Sequence, residues 1–366
     1  MNVPKLRFKE FNDEWIIGKI GEFVTINSGD SPSKFEFHQQ GIPYYKVEQL
    51  NNCLKYQIET PYYINKNKIV KKGSIIFPKR GAAILLNKIR ILKFDSFFDT
   101  NIMSLTTNGI HNEFLYYYLI KENLSNIADT SSIPQLNNKH IEPYPLIYPS
   151  SLWEQEKIGQ TLALLDKKIE LQTKKIEDLK LFTKKTSINL INNITENLED
   201  VFVEEICKIQ TGKSNTQDKN ENGQYPFYIR SEDVTYSDKY IFDCEAVLTI
   251  GDGNIGKVYF YHNGKFDCHQ RVYVMNNFDK SILGKYFYYY FSNNFYKRAM
   301  SMSAKNTVDS VRMEMISKMK IRIPTIQEQQ LIINVLTNLD NKILFENNKL
   351  NLLIEFKKGL IQNMLV

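Results

Sequence analysis

The sequence predicts an α+β protein built from two pseudo-repeated α/β blocks, each of mixed or antiparallel strands with short helices. Two long helices, pairing as an antiparallel coiled coil, join them. Three observations lead there: a helical phrase is written twice, apolar residues in both copies recur three and four apart, and each copy follows a proline-containing extended stretch. The expected segments are residues 1–150 for the first block, 151–198 for the central helix, 199–326 for the second block and 327–366 for the C-terminal helix. A chain of 366 residues is too long for one core at ~100 to 200 residues per domain.

The first block ends in IEPYPLIYPSS, residues 141–151, whose prolines and β-branched residues suit a strand that stops before a helix. The helix then opens with EQEKIGQTLALLDKKIE at residues 154–170, and its seam runs through Leu162, Leu165, Ile169, Ile176 and Leu179, with Gln172 in register. The second block closes on MKIRIPTIQ, and EQQLIINVLTNLDNKIL at residues 328–344 aligns with the first phrase without gaps. Its seam is Leu336, Leu339, Ile343, Leu350 and Leu353, with Leu360 and Met364 beyond, and Glu346 and Lys357 in register. The two seams superpose at an offset of 174, including the polar breaks at Gln172 and Glu346. A helix of about 40 residues spans ~60 Å, longer than one domain core covers, so each is the natural partner of the other. A whole block returns the chain between them, which predicts antiparallel pairing.

The blocks repeat more faintly. Ile26-Asn27-Ser28-Gly29 corresponds to Ile209-Gln210-Thr211-Gly212, and Ile42-Pro43-Tyr44-Tyr45 to Tyr225-Pro226-Phe227-Tyr228, both 183 residues apart. GSIIFPKRGAAI resembles EAVLTIGDGNIG, and FDSFFDTNIMSL resembles KFDCHQRVYVM. The tyrosine-rich runs at residues 116–118 and 286–291 read as faces packed into cores.

Composition excludes several classes. With 42% hydrophobic and 24% charged residues the chain is expected to be globular, and no window carries the ~18 to 20 apolar residues of a membrane helix. A charged N-terminus unlike a signal peptide predicts a cytoplasmic protein. Cys53, Cys207, Cys244 and Cys268 form no C-x-x-C pair and are expected to be ordinary buried thiols. Residues 1–150 hold 18 Lys/Arg against 14 Asp/Glu, and 201–326 hold 17 against 14, so two mildly basic blocks suit two contacts with a polyanion.

Catalytic motifs fail on inspection. GDGNIG at residues 251–256 satisfies G-x-G-x-x-G, but KVYFYHNGKF follows it, strand-like and closed by an Asn263-Gly264 turn, where a dinucleotide site needs a helix. Gly212-Lys213-Ser214 lacks the upstream glycine of a phosphate loop, its place being Cys207. G-x-S-x-G, H-E-x-x-H and the Asn-Pro-Pro-Tyr tetrad of adenine methylation are missing too. The pattern points to binding or scaffolding, with chemistry supplied by a partner.

The chain resembles the specificity subunit of type I restriction-modification systems, over essentially its whole length. The opening PKLRFKEFNDEW, the two helix phrases, and the loops NSGDSPS and QTGKSNT carry the likeness, although the second block begins ITENLEDVFVEEI in place of a PKLRF-type opening. The resemblance implies that each block is a target recognition domain reading one half of a split, asymmetric site on double-stranded DNA. It also implies that the helices dock two methyltransferase subunits and, through them, motor-nuclease subunits. The chain would be non-catalytic and hold no cofactor, with S-adenosylmethionine, ATP and magnesium on the partners, and no membrane would be involved.

Base edges call for Arg, Lys, Asn and Gln on loops, and phosphates for cations, hydroxyls and amides. Candidate DNA contacts in the first block are Ser28, Ser31, Ser33, Lys34, Lys46, Lys79, Arg80, Thr100 and Asn101. In the second they are Thr211, Lys213, Ser214, Asn215, Arg230, Asn254, Lys257, His269, Gln270 and Arg271. No catalytic or metal-ligating residue is assigned. Two rival readings remain open: a coiled-coil adaptor whose two heads bind proteins, and a pair of diverged catalytic domains.

Overall fold

The computed structural model describes residues 3–65, 69–129, 133–195, 198–302 and 310–366. The chain divides into two compact units, residues 1–174 with 348–366, and residues 175–347. The sequence boundary expected at 198–199 adjoins residues 196–197, which lie outside the described residues.

The first unit contains β1 (Trp15–Lys19), β2 (Val24–Ser28), β3 (Ile42–Tyr45), β4 (Tyr56–Gln57), β5 (Tyr63–Ile64), β6 (Ile75–Pro78), β7 (Arg90–Leu92), β8 (Phe97–Phe98) and β9 (Ile102–Thr107). Helices α1 (Asn112–Glu122), α2 (Leu124–Ile127) and α3 (Asn138–Ile141), strand β10 (Pro145–Pro149) and the long α4 (Leu152–Ile194) follow. A five-stranded sheet runs β2-β9-β6-β7-β4, a three-stranded one β5-β3-β8, and β1 pairs with β10. In α1 six consecutive residues, from Phe114 to Leu119, are buried, as a helix covered on all sides requires. Their core includes Ile75, Phe77 and Leu105 of the sheet, Ile158 and Leu162 of α4, and Ile361 and Met364 of the C-terminal helix. The tyrosine run therefore packs as expected, and its hydroxyls find partners: Tyr118 donates to the Pro145 carbonyl at 3.1 Å, and Tyr117 to Asp166.

The second unit contains β11 (Asp200–Phe202), α5 (Val203–Ile206), β12 (Lys208–Thr211), β13 (Tyr225–Tyr228), β14 (Val234–Ser237), β15 (Phe242–Ile250), β16 (Tyr259–Cys268) and β17 (Val272–Asn276). Then come α6 (Gly284–Ser301), α7 (Met313–Ser317), β18 (Lys320–Arg322) and the long α8 (Ile326–Met364). One six-stranded sheet runs β12-β17-β15-β16-β13-β14, and β11 pairs with β18. Residues 251–256 lie in the connection between antiparallel β15 and β16, so the glycine-rich segment is a hairpin loop as read from the sequence. The expected Asn263-Gly264 turn is corrected. Both residues lie inside β16, opposite Glu245 and Cys244, and Gly264 takes a φ of +124° within the strand. One long strand here takes the place of β7 and β8, pairing antiparallel with β15 and parallel with β13. The cysteines are all free, but only Cys207 and Cys268 are buried, Cys53 and Cys244 being half-buried.

Within each unit the long helices pair antiparallel. In the first, Asp166 of α4 bridges to Lys357 of α8, and Ile158 and Leu162, earlier in α4, share a core with Ile361 and Met364, later in α8. In the second, Lys175 meets Glu346 at 2.5 Å, while Ile191 shares a core with Ile332, Ile333 and Leu336. The seam is buried at Leu162, Ile169, Ile176 and Leu336 and half-buried at Leu165, Leu179, Leu339, Ile343, Leu350 and Leu353. Gln172 and Glu346, the two polar breaks, are buried as well. Proline at Ile169 or Ile343 removes a backbone bond and crowds the preceding turn, and is expected to cost about 3 kcal/mol or more. Circular dichroism through a thermal melt measures this, and a variant melting with the parent chain contradicts it.

Candidate nucleic-acid interface

Each unit carries the same bend at the end of its sheet. In the first, residues 99–101 join β8 to β9. The Asp99 amide donates to the Tyr45 carbonyl at 2.9 Å, Ile102 to the Asp99 carbonyl at 3.1 Å, and Lys79 to the Asn101 carbonyl at 2.8 Å. In the second, residues 269–271 join β16 to β17. His269 donates to Tyr228 at 2.9 Å, Val272 to His269 at 2.8 Å, and Gly251 to Arg271 at 2.6 Å. The bend's first side chain accepts from the amide two residues on: Asn101 donates to Asp99 Oδ1 at 2.7 Å, and Arg271 to His269 Nδ1 at 3.0 Å. A glycine seals each bend. A Cβ on Gly29 would stand 2.1 Å from the carbonyl oxygens of Phe98 and Asp99; one on Gly212 would stand 2.1 Å from that of Cys268 and 2.5 Å from that of His269.

Around the first bend Thr100 and Asn101 are exposed, as are Ser28 at the end of β2 and Arg80 just after Lys79. Lys79 Nζ donates to Ser28 Oγ at 3.1 Å; burial pushes its pKa down, and Asp99 opposes that shift. Asp99 is 7% exposed. Burial raises its pKa, while the amides of Asn101 and Val47 and the charge of Lys46 work to lower it. The next turn follows closely, since the Asp30 amide donates to the Phe98 carbonyl at 3.1 Å. There Ser31 and Ser33 share a hydrogen bond of 2.8 Å, and Lys34 pairs with Asp30 at 3.0 Å. Lys46 is half-buried and its ammonium lies over the Tyr62 ring, 3.7 Å from its centre, which holds the side chain in place.

Around the second bend Gln270 and Arg271 are exposed, with Lys213, Asn215 and Arg230. Gln270 donates to Asn215 at 2.8 Å, and Arg230 pairs with Asp252 at 3.2 Å. Thr211 is half-buried, paired with Tyr273. Asn254 is exposed on the loop after β15, and Lys257 sits 5.7 Å from the centre of the Tyr296 ring on α6. The sequence reading groups Ser214 and His269 with the surface contacts, but the structure buries them to 3% and 5% exposure. Ser214 spends its hydroxyl on Asp267 at 2.7 Å, and both residues shape the bend from beneath. Burial lowers the His269 pKa first, Arg230 and Arg271 lower it further, and Asp252 opposes.

Sequence reasoning missed a second set of residues, the clasps that attach α1 and α6 to the long helices. Gln155, in the first turn of α4, accepts from the His111 amide at 2.8 Å and donates to the Pro149 carbonyl at 2.9 Å. Gln329, in the first turn of α8, accepts from the Leu283 amide at 2.8 Å and donates to the Pro324 carbonyl at 2.8 Å. Tyr289 donates to Asp340 at 2.6 Å, as Tyr117 does to Asp166. The signal was present, because Glu-Gln opens both helix phrases. The first unit adds a buried Lys55, whose ammonium reaches Glu113 at 2.9 Å and the Tyr117 hydroxyl at 3.0 Å.

A family model for the type I restriction modification DNA specificity domain matches the chain twice, over residues 12–181 and 195–355. The type I restriction enzyme EcoDI specificity subunit of Escherichia coli is 30% identical over 136 residues, which span 37% of this chain and 29% of that subunit. Among solved structures, a type I restriction-modification system S subunit from M. genitalium matches with a TM-score of 0.65 at 16% identity, over 100% of this chain and 99% of that one. A structure addressing complex assembly and conformational transition of the type I R-M system matches with a TM-score of 0.63 at 13% identity, over 97% and 98%. At such identities the two structures speak for the fold alone. Among the described residues, no helix is long and apolar enough to cross a membrane.

Proposed function

The chain belongs to the type I restriction modification DNA specificity family, and from that premise we propose that it is the subunit that chooses the DNA sequence for a type I complex. Each unit reads one half of a split, asymmetric duplex site. The chain performs no chemistry; methyltransferase subunits, docked on the paired helices, bring S-adenosylmethionine, and motor-nuclease subunits bring ATP and magnesium. The observation that carries the reading is the twofold bend: one backbone frame, built twice, presenting Thr100-Asn101 in one unit and Gln270-Arg271 in the other. Two different half-sites need that combination. Docking is supported by apolar side chains left in solvent on the long helices, Leu164 and Leu352 in the first unit, Leu344 and Phe345 in the second.

The test is binding by the complex assembled with its methyltransferase subunits, to target and scrambled duplexes across a salt series. The expected result is a preference of about 10³-fold or more for the target, and a steep loss of affinity with salt. Equal binding to both duplexes overturns the proposal. Affinity indifferent to salt favours instead an adaptor whose heads bind proteins.

A further inference from the structure

We infer that residues 100–101 and 270–271 are the base-reading pairs of the two units, so that exchanging these dipeptides rewrites one half of the recognised site at a time. The inference rests on the function proposed above and names the side chains that carry it out.

The two units hold some features of the bend constant and let others vary. Constant are the three backbone bonds of each bend and the side-chain cap by its first residue. Constant too is the glycine approach, with Gly29 donating to the Ile102 carbonyl at 3.4 Å and Gly212 to that of Val272 at 3.1 Å. The first residue can differ, Asp99 in one unit and His269 in the other, because it faces inward and need only accept one hydrogen bond. The next two point to solvent in both units and differ position by position, a hydroxyl then an amide in one, an amide then a guanidinium in the other. A frame held by so many bonds places side chains with little freedom, which discrimination between bases demands, and it costs little further ordering on binding.

Chemistry fits the position. A guanidinium fork matches O6 and N7 of guanine, and a carboxamide matches N6 and N7 of adenine. Arg271 is therefore assigned a guanine, and Asn101 and Gln270 adenines. Gln270 is steadied by its bond to Asn215, and cations flank each pair, Lys79 beside Ser28 in the first unit and Arg230 beside Asp252 in the second. Those neighbours suit phosphates, which position a protein without reading sequence.

The experiment places the full chain with its methyltransferase subunits in a host free of adenine methylation and reads the methylated motif by genome sequencing. The parent complex comes first: if it methylates no defined motif, the proposed function itself falls, before any variant is made. Two variants then address the bends, the double substitution Thr100→Gln with Asn101→Arg, and the single substitution Arg271→Ala. Gel filtration establishes that each assembles with its partners. The double variant is expected to keep one half of the motif and change the other. Arg271→Ala is expected to leave the half read by the first unit intact and lose discrimination at one guanine of the other half, by about 10- to 100-fold. An assembled variant that methylates the parent motif unchanged overturns the inference. So does one that weakens methylation at every site alike, the mark of a phosphate contact.

Discussion

Replacing Gly29 with alanine is expected to destabilise the first unit by about 3 kcal/mol or more and to abolish the half-site reading proposed for that unit. The added Cβ would lie 2.1 Å from two carbonyl oxygens, those of Phe98 and Asp99, and backbone cannot swing aside as the tip of a side chain can. The atoms displaced are those that form the bend: Phe98 O accepts from Asp30, and Asp99 O accepts from Ile102. Relief requires parting β2 from the β8 to β9 connection, which breaks the frame under Thr100 and Asn101. Urea unfolding measures the loss, and hydrogen exchange at the amides of Asp99 and Ile102 localises it. Stability and exchange equal to those of the parent protein would refute the expectation. Gly212→Ala makes the matched experiment, with the loss expected in the second unit and in the half-site reading proposed for it.

The second large effect is expected from Arg7→Ala. Glu154 is 1% exposed and accepts two parallel bonds from Arg7, Nε to Oε1 and Nη2 to Oε2, both at 2.8 Å. Trp15 Nε1 adds a longer one at 3.3 Å. The hydrogen bond that Arg7 donates to Glu154 raises the arginine's pKa against the burial that lowers it. Truncation would strand a buried carboxylate with an indole as its remaining partner from this set, and is expected to cost about 3 to 5 kcal/mol. Lysine in its place offers a single point of charge and cannot restore the paired geometry. In a double-mutant cycle with Glu154→Gln, the loss should shrink markedly when the carboxylate is already neutral. An Arg7→Ala protein within about 1 kcal/mol of the parent, the range of ion pairs open to solvent, would show the pair to be ornamental.

How much of this is legible in a single sequence depends on the range of the interactions. The long helices are legible because a seam repeating at three and four, copied at a fixed offset, is a local property of the chain. The hairpin at residues 251–256 is legible for a similar reason, since apolar strands flank its glycines. Asn263-Gly264 misleads because the dipeptide marks a turn only when the chain reverses, and here β15 offers partners to residues 259–266 of β16 without a break. The candidate loops come together at the bends, yet the sequence cannot show which of their side chains face inward. Ser214 is buried because Asp267 waits beneath it, and Lys46 is held half-buried because Tyr62, 16 residues on, lies under its ammonium. Those partners come from elsewhere in the fold. The glutamine clasps were overlooked since a polar residue at a helix start reads as solvent-facing until the loop it grips is in place.

The twin glutamines bear on how such a protein can change over time. Gln155 and Gln329 grip the chain at the beginnings of α1 and α6, whereas the pairs proposed to read bases project from strand ends that these grips do not touch. Mutations at residues 100–101 or 270–271 therefore leave the anchorage alone, and under the proposed reading a lineage would acquire a new target through a few surface substitutions without refitting its joints. Novelty and attachment would then be inherited separately.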